Sequence, residues 1–232
     1  MSGGRPILLF STRWASDTGP GADASGNVYV PTANGTFDAS SEGRDYGDSV
    51  LKLALEGSSL IVRDYFTPYD QARLSDADAD LGSSGPLLLP DQPGSHRHLL
   101  LQPTKGSVIY VIDRDVMGKF HPEGDAIVQR IQLAGGGFGA MAYWNQHVFF
   151  ACDNDHLRDY IVTNGELRLN TILHHKIRES WRHTICFRKR NKGRHRMGAR
   201  DQNVERIGRT GSTLCIRREQ DQPAHLQLGT KQ

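Results

Sequence analysis

The chain has 232 residues, 28 Lys+Arg, 26 Asp+Glu and a formal net charge of +2, which conceals a split: residues 171–232 carry 15 bases against five acids, residues 1–170 carry 13 against 21. The length allows a sizeable core in one large domain or two small ones. No apolar run approaches the ~20 residues of a membrane-spanning helix, and Ile7-Leu8-Leu9-Phe10 is too short for the apolar centre of a secretory signal, so no export signal is expected within this chain.

Residues 1–17 show no definite pattern. From there on, short β-branched and aromatic runs alternate with Gly, Asn and Asp turns, the pattern of an all-β chain. Gly26-Asn27-Val28-Tyr29-Val30 is followed by strand candidates at 49–55 and 60–66. Residues 85–89 and 98–102 lead to Gly106-Ser107-Val108-Ile109-Tyr110-Val111-Ile112, and 126–133 follows. Residues 139–144 lead to Asn145-Gln146-His147-Val148-Phe149-Phe150-Ala151, then 157–163 and 166–169. The runs beginning at 26, 106 and 145 share one pattern and read as three copies of one repeat. Groups of about four short strands predict propeller blades, here near 18–67, 82–134 and 137–170, with inserts at 36–48 and 67–82. No amphipathic helix is expected in 1–170. Three blades do not close a ring, since propellers have ~4–8, so the chain reads as part of a larger propeller.

Several residues have the chemistry of a site. Asp76, Asp78 and Asp80 alternate like the hard oxygen ligands of a calcium loop, but the glycine of such a loop falls one position late and Leu87 stands where its closing Glu belongs. An acidic surface loop is the simpler reading. Asp113-Arg114-Asp115 and Asp153-Asn154-Asp155 each pair carboxylates that do acid–base work where one pKa is raised; their repetition after strands favours equivalent structural turns. His96, His98 and His156 read as exposed polar residues. Gly135-Gly136-Gly137-Phe138-Gly139 lacks the Lys-Ser/Thr and helix of a phosphate loop and reads as a flexible turn between blades. Cys152, Cys186 and Cys215 form neither a CxxC pair nor a metal finger.

The runs GNVYVPTANGTFD at 26–38, GRDYGDSVLKL at 43–53, DADLGSSGPLLLPDQ at 78–92, GSVIYVIDRDVMGKF at 106–120 and AYWNQHVFFACDNDHLRDY at 142–160 resemble bacterial β-propeller proteins with PQQ-like (quinoprotein alcohol dehydrogenase-like) repeats. The resemblance covers roughly residues 15–170. It implies a partial propeller at 18–170, four-stranded blades and a periplasmic or extracellular parent. The likeness alone admits pyrroloquinoline quinone (PQQ) and calcium as cofactors, but it does not by itself imply a bound quinone or an enzyme, because one fold hosts many functions. A quinone site typically presents a stacking Trp, an adjacent Cys pair and calcium; Trp144 is present, but no two cysteines are adjacent. A non-catalytic scaffold that binds protein or carbohydrate is therefore expected, with a quinoprotein oxidoreductase fragment as the alternative.

Residues 171–232 break the pattern: all seven tyrosines precede them, and no period of 2 or 3.6 is sustained. Taken as written, this is a basic, low-order extension whose residues 182–200, with the run 188–196 at their centre, would bind nucleic-acid phosphates non-specifically. Nucleic acid is not otherwise expected of the acidic 1–170. A second reading is a one-base frameshift near 167–173. Shifted by one base, Met197-Gly198 encodes Trp and Trp181-Arg182 encodes Gly, and chosen wobble bases yield the strand-like runs GIVWALET and AVLYAYDAN. The nucleotide sequence decides between the two.

Overall fold

The computed structural model describes residues 18–177, 183–188, 212–217 and 227–228, with side chains to residue 172. The segment 1–17, most of the basic tail and most of the run 188–196 lie outside the described residues, as does the frameshift reading that rests on them.

The described chain is all-β, built of three four-stranded antiparallel sheets in chain order. The first holds β1 (Gly21–Ala22), β2 (Val28–Pro31), β3 (Val50–Glu56) and β4 (Ser59–Phe66). The second holds β5 (Leu87–Leu88), β6 (Leu99–Pro103), β7 (Val108–Asp113) and β8 (Gln129–Gln132). The third holds β9 (Ala142–Trp144), β10 (His147–Phe150), β11 (Asp155–Thr163) and β12 (Glu166–Ile177), which runs on past residue 170. Each strand pairs only with its sequence neighbours, the order of propeller blades, and the three do not form a closed ring. Beyond them β13 (His183–Arg188) pairs in parallel with β14 (Ser212–Arg217), and β14 pairs antiparallel with β15 (Gln227–Leu228).

Turn chemistry explains the tight connections. Asn145-Gln146 joins β9 to β10 with φ of 48° and 67°, and Asn164-Gly165 joins β11 to β12 with φ of 51° and 83°. Two consecutive positive φ values match the right-handed twist of a hairpin, and Asn and Gly tolerate them best.

The side-chain period of two then divides the residues between two cores. On β7, Val108, Tyr110 and Ile112 face the first sheet and meet Tyr29, Val50 and Phe66. Ile109 and Val111 face the third sheet and meet Val148, Phe150, Tyr160 and Val162. β6 does the same, with Leu100 on one side and Leu99 and Leu101 on the other. A sheet covered on both faces reads as continuous apolar sequence rather than alternation, which is why Val108-Ile109-Tyr110-Val111-Ile112 is apolar throughout. The other face of the first sheet, with Leu51, Leu53 and Tyr65, is covered by Phe37 and Tyr46 of the 36–48 insert and by Phe120.

Two expectations need correction. The 67–82 insert contains a helix, α1 (Gln71–Asp76), too short for its period to show in sequence. The run at 106–112 forms the third strand of its sheet, whereas those at 26–30 and 145–151 form second strands, so the three are not equivalent copies. The same local pattern serves any strand between two turns, and only its partners reveal its place.

Phe150 is fully buried between the second and third sheets, and Leu55 is 67% exposed. Phe150→Ala is expected to lower stability by about 3–5 kcal/mol and Leu55→Ser to change it by less than about 0.5 kcal/mol, both read from urea unfolding curves.

Candidate functional site

Polar side chains gather at both ends of the sheets. At one end, the β2–β3 connection (32–49), the β4–β5 insert and the β6–β7 turn meet. Here Gly47 and Gly82 let backbones touch: a Cβ on Gly47 would run into the Gly35 carbonyl, and one on Gly82 into the backbone of Thr32. The close approach buries Asp48 completely. Its φ of 51° is a left-handed conformation that Asp and Asn tolerate better than most residues. Its Oδ1 accepts the Leu81 N–H at 3.1 Å; its Oδ2 has no donor in full hydrogen-bond geometry, the Gln71 side-chain amide being near enough only to favour its charge. Burial pushes the Asp48 carboxyl up to about 6; the Leu81 N–H and the Gln71 side chain oppose the rise, and the charges of Asp80 and Asp78 add to it.

The Asp76/Asp78/Asp80 motif divides in this setting. Asp76 is exposed at the end of α1. Lys105 Nζ from the β6–β7 turn lies 2.6 Å from Asp78 Oδ2 and 3.2 Å from Asp80 Oδ2, so the alternating loop already holds a cation of the chain's own. Among the described residues, no three His, Cys, Asp or Glu side chains are arranged to hold a metal ion. Asp76 thus stands apart from the Lys105 pairing that Asp78 and Asp80 share.

At the opposite end, the β5–β6 connection lies beside the residues that follow β7. His96 Nδ1 is 2.8 Å from Asp113 Oδ2, and His98 Nδ1 is 2.8 Å from Asp115 Oδ2. Asp91 joins them through Arg97 at 2.9 Å and His98 Nε2 at 3.7 Å. Beneath these, Arg114 is buried; its Nη2 donates to the Leu89 carbonyl, its guanidinium lies 5.9 Å from the Tyr29 ring centre, and its carbonyl accepts from Lys52 Nζ. The histidines are thus paired with the very aspartates of the Asp113-Arg114-Asp115 turn. The ladder that sets Leu99 opposite Asp113 produces the pairing, and a strand register is invisible residue by residue.

The second acidic turn does different work. It joins the second and third strands of its sheet, whereas Asp113-Arg114-Asp115 follows a third strand, so the two are not equivalent. Asp155 holds Arg158 through both carboxylate oxygens. Burial opposes ionisation of Asp155, but the Arg158 hydrogen bonds outweigh it and hold the carboxyl below its usual range. His156 is 3.9 Å from Asp155. The glycine run 135–139 is a bonded linker between β8 and β9: Gly137 N–H donates to Thr104, and the carbonyls of Gly137 and Gly139 accept from Ser83 and Ser84 hydroxyls. Those groups are committed within the chain, which suits neither a phosphate cradle nor a flexible turn.

A further pair had no signal in sequence. His147 Nδ1 lies 2.8 Å from Asp159 Oδ1, and Asn170 Nδ2 donates to Asp159 Oδ2. Alternation places His147 and Asp159 on the face of the third sheet opposite Val148 and Tyr160, which pack on the second.

The residues described around Trp144 do not fit a quinone. Cys152 is buried and alone among the described side chains, with burial pushing its thiol up to about 11. Trp144 is 38% exposed on β9, and no cysteine pair lies beside it. No helix among the described residues is long and apolar enough to cross a membrane. Comparison with family models and with curated proteins yields no match.

The raised Asp48 carboxyl predicts a pH dependence. The folded chain keeps the Asp48 proton that the unfolded chain loses near pH 4, so this residue's contribution falls between about pH 4 and 6 and is flat above. Asp48→Asn keeps the Leu81 acceptor and removes the charge. In metal-free buffer it is expected to raise stability at pH 7 by about 3 kcal/mol and to abolish that slope, read from urea unfolding at successive pH values.

Proposed function

We propose that the chain is a non-catalytic part of a larger β-propeller of the PQQ-like type, belonging to an exported protein and binding protein or carbohydrate through its loop ends. The observation that supports this reading is the contrast between scaffold and ends. Three sheets are held rigidly by two continuous apolar interfaces, while Asp91, Arg97, His98 and Asp115 stand at one end with side chains 37–66% exposed. Polar loop groups positioned by a rigid scaffold are the usual means of recognition. Their donors and acceptors suit hydroxyl-rich or charged ligands, and exposed Val116 beside them supplies apolar contact. The further blades of the parent are part of the proposal.

The test has two arms. The chain is applied to an array of soluble glycans and to immobilised envelope proteins; retention of a probe, reduced at least about tenfold by a combined Arg97→Ala and Asp115→Ala change, is expected. In parallel, PQQ and CaCl₂ are added and dye-linked oxidation of alcohols and aldoses is followed; no turnover is expected. Turnover would replace the scaffold reading with an oxidoreductase, and a failure to retain any probe would remove the recognition reading.

A further inference from the structure

Three buried side-chain oxygens with no donor in full hydrogen-bond geometry are laced to one dipeptide, Asp80-Leu81. They are Asn34 Oδ1, Asp48 Oδ2 and Gln102 Oε1. The other polar atoms of these residues fix where they sit. Asn34 N–H donates to Asp80 Oδ1 at 3.1 Å, and Asn34 Nδ2 donates to Asp78 Oδ1 at 3.1 Å. Asp48 Oδ1 takes the Leu81 N–H, and Gln102 Nε2 donates to the Leu81 carbonyl at 3.2 Å. Asp48 and Gln102 are both 0% exposed. A buried acceptor left without a partner is costly and calls for an ion, a water or a proton.

The charge balance narrows the choice. Asp78 and Asp80 share the single ammonium of Lys105. With Asp48 ionised, three carboxylates face one cation. What is missing is positive charge with a preference for carboxylate and amide oxygens, the chemistry of a hard metal ion. We propose that Asp48, Asp80 and the side-chain oxygen of Asn34 form a structural site for such a cation, Ca²⁺ by its charge and its tolerance of irregular oxygen ligands. The site has only two carboxylates and a neutral amide, so it differs from the Asp76/Asp78/Asp80 loop: Asp76 takes no part, and Asp78 remains with Lys105. A bound ion would tie the 32–36, 47–49 and 77–84 segments at the same end of the first two sheets.

The experiment strips the full chain with EDTA and follows thermal unfolding at constant ionic strength and pH 7.5 as CaCl₂ is added. About 1 mM Ca²⁺ is expected to raise the midpoint by about 3 °C or more. Mg²⁺ is expected to raise it less, because the smaller ion demands regular octahedral geometry and gives up water reluctantly. Asp48→Asn and, separately, Asp80→Asn are expected to lose the Ca²⁺ response, so the readout survives if one variant fails to fold. Lys105→Met, which removes the competing ammonium, is expected to enlarge it. A midpoint insensitive to Ca²⁺ in the unaltered chain, or a Ca²⁺ response unchanged in both aspartate variants, overturns the proposal.

Discussion

The double burial of the second sheet is the constraint on which the rest depends. β6 and β7 are covered from both sides, so successive residues of one strand belong to different cores. A shift of one residue in the register of β7 would exchange Tyr110 with its neighbours and place every side chain in the wrong interface. The first and third sheets therefore both pack on the same five successive residues of β7, Val108 to Ile112, and the loops at both ends inherit their places from it. Aromatic contacts reinforce this: Phe66 and Tyr110 meet with ring centres 5.1 Å apart across the first interface.

The two ends spend their polar groups differently. Around Asp48 the close approach of glycine-bearing segments excludes water, and charge is compensated incompletely, by one lysine for several carboxylates. Around His96 and His98 the two histidines and Arg97 are balanced by Asp91, Asp113 and Asp115, and most of these groups stay partly in water, where exposed pairs contribute little to stability. The first end stores unfavourable electrostatics that a proton or a cation relieves. The second presents charged groups that a ligand engages without first disrupting a core.

Strand positions were legible because they rest on local chemistry. β-branched and aromatic runs bounded by Asn, Gly and Asp mark β2, β7 and β10 whatever lies beside them. Helix α1 was not legible, since six residues hardly exceed one turn and a half. The aspartates at 76, 78 and 80 suggested a ligand loop because spacing was all the sequence offered; Lys105, which occupies two of them, lies 25 residues or more away. Asp48 carried one usable sign, the glycine before it, which permits close approach.

By itself the sequence determined that the chain is all-β, that its strands fall into three groups of about four, and that an acidic part precedes a basic one; the two-residue β1 was too short to show. These follow from side-chain period, turn residues and charge, each a property of neighbours along the chain. Only the tertiary structure decided which strand of each group is which, which histidine meets which aspartate, and which carboxylate loses its water. Register, packing and desolvation are set by residues distant in sequence, and that is why a single Asp flanked by Gly47 and Ser49 becomes the most perturbed carboxylate among the described residues.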